Sequence, residues 1–181
     1  MARTPSVMVP LGFEAPKFEL LDVKRDKLVK SDDLFGKKGT LIMFICNHCP
    51  FVKHVNQQIV QIAKDYQNSG IKLIAISSND IINYPDDSPS EMKKVAIKEN
   101  FIFPYLFDET QIVAKNYDAA CTPDFFIFNN SKKLVYRGQL DDSRPGNNIT
   151  VTGEDVRNAL ESLINFKEIN PVQKPSIGCN I

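Results

Sequence analysis

No stretch of this chain approaches the roughly 20 apolar residues that a bilayer-crossing helix needs. Its charge leans neither way, because 22 Lys and Arg stand against 22 Asp and Glu. The first absence argues against a membrane span. The second removes the field that would draw a nucleic acid or an anionic membrane surface. The opening residues, Met1 to Pro10, lack the continuous apolar core of a secretory signal, so the sequence predicts a cytoplasmic protein. There is no internal repeat and no low-complexity tract. Histidine is scarce, with only His48 and His54, and a second Cys-x-x-Cys, which a structural zinc site would call for, is missing. Four cysteines in a reducing compartment are poor material for a static disulfide framework, which turns at least some of them toward catalysis or metal binding. At 181 residues the chain is long enough for one well-filled domain, and nothing in its composition demands two.

What is present centres on Cys46-Asn47-His48-Cys49-Pro50. The pair follows the apolar run Thr40 to Ile45 and precedes an amphipathic stretch, which is how redox-active dithiols are usually presented. At helical spacing the two Cβ atoms lie roughly 5–6 Å apart, so a modest adjustment lets the sulfurs bond.

Residues 1–16 read as an irregular N-terminal arm. Lys17 to Val23 has strand character, and Ser31 to Gly36 reads as a turn or short helix. Leu41 to Ile45 is a buried strand by its unbroken apolar run. Val52, Val55, Ile59, Ile62 and Tyr66 mark one face of a helix that Ser69-Gly70 closes. Lys72 to Ser77 is the next buried strand, so 41–77 forms a parallel crossover unit. Ser88, Pro89 and Glu91 predict a capping box that opens an inserted helix. Phe103 to Phe107 is strand-like, and Asp108 to Gln111 leads into a short helix. Asp124 to Asn129 and Lys133 to Arg137 form a hairpin, and Thr152 with Asp155 caps a last helix. The tail from Asn170 shows no periodicity and reads as irregular. The order predicts a central mixed β-sheet flanked by helices, an α/β arrangement with an insertion between its two halves.

The stretches from Phe44 to His54, Ala75 to Asn79, Phe103 to Asp108, Ala120 to Phe126, Tyr136 to Asp142 and Ser176 to Cys179 carry a resemblance. The chain resembles the thioredoxin-like superfamily, specifically its peroxiredoxin-like branch, the alkyl hydroperoxide reductase/thiol-specific antioxidant group. The resemblance implies a thioredoxin-like fold with a cis proline at Thr122-Pro123, facing the active-site sulfurs and leaving the preceding backbone to pair with an extended substrate segment. It implies a thiol–disulfide oxidoreductase with no cofactor, acting on protein or small-molecule thiols and disulfides through a Cys46–Cys49 disulfide bond.

Within that frame Cys46 is expected at the helix mouth, where unpaired N–H groups favour an anion, as the thiolate nucleophile. Cys49, more shielded, resolves the mixed disulfide. His48 either donates a hydrogen bond or positive charge to that thiolate or is a solvent-facing spacer. A Cys46 pKa lowered by about two units would stabilise the thiolate by roughly 2.7 kcal/mol and raise the potential by roughly 60 mV. Cys121 reads equally as a third redox thiol or a small buried hydrophobe. Cys179 reads as a distant resolving thiol or an inert terminal cysteine. His54, Arg137, Arg144, Asp141 and Asp142 read as surface groups, and Phe125, Phe126 and Phe128 as sheet core.

Two alternatives stay open. The first is a thiol peroxidase with antioxidant activity, in which Cys49 or Cys46 attacks peroxide. Peroxiredoxins carry a Pro…Thr-x-x-Cys motif, and Cys49 matches its cysteine, whereas Ile42 and Cys46 replace the proline and the Thr. The second is metal binding by the Cys-x-x-Cys pair with His48, Cys121 supplying another ligand.

Overall fold

The computed structural model describes residues 3–181. Ten strands and five helices follow in the order β1 (Arg3–Pro5), β2 (Glu19–Asp22), β3 (Lys27–Lys30), α1 (Ser31–Leu34), β4 (Gly39–Phe44), α2 (Pro50–Tyr66), β5 (Ile71–Ser77), α3 (Pro89–Lys98), β6 (Tyr105–Phe107), α4 (Ile112–Tyr117), β7 (Cys121–Thr122), β8 (Asp124–Asn129), β9 (Leu134–Gly138), α5 (Glu154–Ile164) and β10 (Ile177–Asn180). The predicted mixed sheet is present, in the order β3-β2-β6-β5-β4-β8-β9. Its centre, β4, pairs parallel with β5 and antiparallel with β8. Among the described residues no helix is long and apolar enough to cross a membrane.

Every residue of β4 is buried, as its unbroken apolar run predicts for a strand covered on both faces. Successive side chains enter different cores. Leu41, Met43 and Ile45 meet α2 and α5 through Val55, Ile59, Ile62 and Leu160. Ile42 and Phe44 meet Ile74, Phe126, Val113 and Tyr117. Tyr117 sits among Phe44, Phe126 and Phe128 with ring centroids 5.7–6.2 Å apart, the separation of tilted and edge-to-face pairs. The three phenylalanines of β8 are sheet core, as expected.

The 3- and 4-residue spacing of Val52, Val55, Ile59, Ile62 and Tyr66 appears as the buried face of α2. Gly70 takes a φ of +89° just beyond it, a conformation that costs glycine little. The caps were less legible. Ser88 and Pro89 stand at the N-cap and first position of α3, yet Ser88 makes no side-chain cap bond. Its hydroxyl meets Ser90, and Glu91 pairs with Lys94 instead of reaching back. The α5 terminus is served by Asp141, whose Oδ2 accepts from the N–H groups of Thr152 and Gly153 at 2.7 and 2.6 Å. Asp141 is therefore buried, not the surface charge expected, because an anion at a helix start neutralises exposed N–H groups.

The largest difference lies at the chain ends. The arm holds β1, and the tail, expected to be irregular, holds β10, which together with β7 form a three-stranded antiparallel sheet. Four residues are too few for a periodic signal, and their pairing partners lie far away in sequence.

Ile59 is fully buried between α2 and the sheet. Ile59→Ala should lower stability by about 2–5 kcal/mol, read as a reduced urea midpoint with an unchanged slope.

Candidate active site

Five residues separate β4 from α2, and they carry both cysteines. The Ile45 N–H still donates to Ile76 O at 2.9 Å, which anchors the loop to the sheet. The helix starts at Pro50 with Cys49 as its N-cap, a first position where proline's missing N–H removes no helical bond. The unpaired N–H groups of α2 therefore open toward Cys49, while Cys46 stands outside the helix.

The expected cis peptide is present at Thr122-Pro123, and this turn faces the sulfurs. Cys46 Sγ lies 3.4 Å from Thr122 Oγ1, and the neutral Cys49 thiol donates to Thr122 O at 3.2 Å. The extended segment anticipated beside Thr122 is the chain's own β10, with Cys179 opposite Thr122 in register. Cys179, expected to be distant or inert, brings its Sγ to 2.8 Å from that of Cys49. Cys121 is buried beside this group, but its nearest polar contact is Pro123 O at 3.8 Å.

The inserted segment between β5 and α3 supplies a carboxylate that sequence reasoning missed. Asp87, fully buried, accepts at Oδ1 from the N–H groups of Asn47 and His48 at 2.7 and 3.2 Å. At Oδ2 it accepts from His48 Nδ1 at 2.5 Å. Tyr84 stacks on the His48 ring, centroids 4.1 Å apart and planes 8° from parallel. Tyr105 donates to Asn47 Oδ1 at 3.1 Å. His48 is thus not a solvent-facing spacer: its side chain is largely buried and its Nδ1 is bound to Asp87. The only sequence signal was the acid pair Asp86-Asp87 ahead of a helix start, which resembles ordinary helix-flanking charge.

These contacts reverse the expected order of ionisation. The Cys46 S–H directed at Cys49 is the largest influence on both thiols, raising Cys46 and lowering Cys49. Burial and then the Asp87 charge push Cys46 up further. Burial also opposes the Cys49 anion, and so does the Thr122 carbonyl. The Cys179 S–H and the backbone N–H groups of Val52 and Cys179 stand against them. The donors prevail, and Cys49 is held well below the ordinary thiol range. Burial pushes the thiols of Cys179 and Cys121 up.

Access differs between the two sulfurs. Cys46 is 1 % exposed and Cys49 0 %. Cys46, however, borders a cavity of about 210 Å³, shared with Asn47, Lys53, Val95 and Tyr105. Cys46 therefore lies on the cavity side of the pair, and Cys49 on the enclosed side.

The remaining candidates take structural places. His54 Nε2 meets Ser143 Oγ at 2.7 Å. Arg144 donates to the carbonyls of Asp141 and Ser143 at 2.6 and 2.7 Å. Arg137 donates to Gln173 Oε1 at 2.8 Å. Asp142 is an exposed partner of Lys174, as expected. Three potential metal ligands converge at Cys46, His48 and Asp87, all within 4.8 Å of one another. An ion there would have to replace the His48–Asp87 hydrogen bond, and Cys121 stands outside the group.

Removing Asp87 would leave two loop N–H groups and the His48 ring without their acceptor. Asp87→Ala should cost about 2–4 kcal/mol, with Asp87→Asn intermediate, measured by equilibrium unfolding of the reduced protein.

The fold recurs in solved structures. An uncharacterized conserved protein of Geobacillus kaustophilus is 55 % identical, with all of this chain and 96 % of that one covered and a TM-score of 0.98. A hypothetical protein of Sinorhizobium meliloti 1021 is 40 % identical over 98 % of this chain and 97 % of its own, with a TM-score of 0.96. The thioredoxin domain of a thiol-disulfide oxidoreductase from Bacteroides vulgatus shares the fold at 16 % identity, covering 87 % and 99 % with a TM-score of 0.67. No functionally curated protein matches the sequence. Residues 11–137, which include both cysteines of the loop and the Thr122-Pro123 turn, match the AhpC/TSA family, and the chain belongs to it.

Proposed function

We propose that this protein is a thiol–disulfide oxidoreductase whose redox pair is Cys46 and Cys49, and that it works best in the thiol-oxidising direction. The observation that carries this reading is the asymmetry of the pair. Cys46 borders the cavity, while Cys49 is the enclosed N-cap of α2 with the Cys179 sulfur 2.8 Å away, a setting that favours its thiolate. A substrate thiolate attacks Cys46 Sγ of the Cys46–Cys49 disulfide. The bond between the cysteines breaks, and Cys49 leaves as a thiolate. A low leaving-group pKa speeds this step, and a stabilised reduced form makes the disulfide a stronger oxidant. A second substrate thiol then attacks the substrate sulfur of the mixed disulfide. The product disulfide departs, and Cys46 is expelled and reprotonated, which its raised pKa favours. Two substrate thiols have become one disulfide, and the enzyme has gained two electrons and, at Cys46, one proton. The second substrate proton has gone to solvent, because Cys49 stays a thiolate.

The cavity admits a small thiol or the side chain of an exposed cysteine. Thr122 and Pro123 hold the far side of the site, and His48 acts through Asp87 by fixing the loop that carries Cys46. These are positioning roles.

A second reading is peroxide reduction by Cys49, favoured by the family and by the anionic sulfur. The two readings separate in one experiment on the reduced protein. Stopped-flow mixing with hydrogen peroxide should show oxidation of Cys49 no faster than that of an ordinary thiol, while a dithiol substrate reduces the oxidised enzyme readily. Rapid peroxide oxidation at Cys49, with sulfenic acid trapped in Cys46→Ala, would transfer the assignment to peroxidase.

The Cys46–Cys49 couple should have a midpoint more oxidising than thioredoxin's, about −270 mV, in a glutathione redox titration. An equal or lower value would remove the basis for the oxidising direction. The thiolate ultraviolet absorbance of the reduced protein should persist through neutral pH and disappear only as acid reaches the lowered Cys49 pKa. In Cys46→Ala, which removes the strongest donor, the loss should begin at higher pH.

A further inference from the structure

Cys49 has two sulfurs beside it, and only one belongs to the pair just described. The other is Cys179, 2 % exposed, with its Sγ 2.8 Å from Cys49 Sγ. That separation is under an ångström longer than an S–S bond of about 2.05 Å.

The approach is built by the fold. β10 is held on both edges, with Cys179 opposite Arg3 of β1 on one side and Thr122 of β7 on the other. Ser176 locks the start of the strand. Its hydroxyl donates to Pro123 O at 2.7 Å, its N–H donates to Ser6 Oγ at 2.8 Å, and its carbonyl accepts from Ser6 N at 2.9 Å. Gly178 lets the strands close. A Cβ there would lie 1.9 Å from Thr122 O and 2.6 Å from its carbonyl carbon. A larger residue would push β10, and with it Cys179, away from Cys49. Cys121 is equally buried in the neighbouring strand but touches no other sulfur, so burial near the site does not by itself create such a contact.

We propose that Cys179 is a third redox residue, presented by β10 so that the disulfide can stand either at Cys46–Cys49 or at Cys49–Cys179. The proposal rests on the exchange reading above, because it takes Cys49 as the shared sulfur. In the step that links the two states, Cys179 gives up its proton and its thiolate attacks Cys49 Sγ of the Cys46–Cys49 bond. The Cys49–Cys179 bond forms and the Cys46–Cys49 bond breaks. Cys46 leaves as a thiolate and takes up a proton. One thiol and one disulfide enter the step and one of each leaves it, so no external oxidant is consumed. Burial and the Cys49 thiolate hold Cys179 protonated in the reduced protein, and the second influence vanishes once Cys49 is in a disulfide. The exchange carries the oxidising equivalent from the cavity side of Cys49 to the β10 side. It leaves Cys46 as a free thiol on the cavity and ties the C-terminal strand covalently to the start of α2.

The test uses the full-length chain, reduced, treated with limiting diamide, alkylated and mapped by peptide mass spectrometry. Wild type should yield both disulfides, each containing Cys49. Cys46→Ala should form an intrachain Cys49–Cys179 bond, which is lost in Cys46→Ala/Cys179→Ala. Gly178→Ala should lose the Cys49–Cys179 species while Cys46–Cys49 still forms. Should Cys46→Ala fail to fold, the wild-type map across a glutathione redox series supplies the same reading. Cys179 alkylated in every oxidised sample, alongside Cys46–Cys49 in wild type, overturns this proposal and leaves the exchange reading standing. Cys49 alkylated in every sample, wild type included, overturns both. A wild-type yield of Cys49–Cys179 in Gly178→Ala overturns the part given to β10.

Discussion

A sulfur anion buried at the start of a helix must find compensation inside the protein, because water no longer supplies it. Around Cys49 that compensation comes from three directions. The opening of α2 offers N–H groups, the loop after β4 brings Cys46, and β10 brings Cys179, while the Thr122 carbonyl on the remaining side opposes the anion. None of these elements could shift far without leaving the anion short of donors. The arrangement of the central strand, the first long helix and the small second sheet can be read as the means of meeting that one requirement.

The same requirement separates the two cysteines of the loop. They share a motif and lie three residues apart, yet Asp87 places a negative charge beside Cys46 while the helix places partial positive charge beside Cys49. Asp87 also binds the loop's N–H groups and the His48 ring. One carboxylate from the insertion thereby sets both the shape of the loop and the direction in which its sulfurs differ. A cavity beside one sulfur and a covering strand beside the other complete the difference between them.

Much of the frame was legible. Unbroken apolar runs marked β4 and β5, the 3- and 4-residue spacing marked α2, and the turn residues after Asn129 marked the β8–β9 hairpin. These signals are local, arising from side-chain periodicity against a single neighbouring layer. The short strands β1 and β10 escaped notice because strands of 3 and 4 residues exist only through their partners. Asp141 read as a surface charge for a similar reason. Its acceptors serve a helix start 12 residues downstream, and no local pattern distinguishes such a carboxylate from a solvated one.

By itself the sequence determined that a cysteine pair would stand where a buried strand passes into a helix, within a mixed sheet flanked by helices. Hydrophobic periodicity and helix-start chemistry act over a few residues, so they can be read in order along the chain. Which sulfur ionises, which one opens onto a cavity, and that Cys179 joins them were decided only by tertiary structure. A thiol's acidity depends on the charges and donors within a few ångströms of it, and here these come from Asp87, Thr122 and Cys179, brought together by folding from distant parts of the chain.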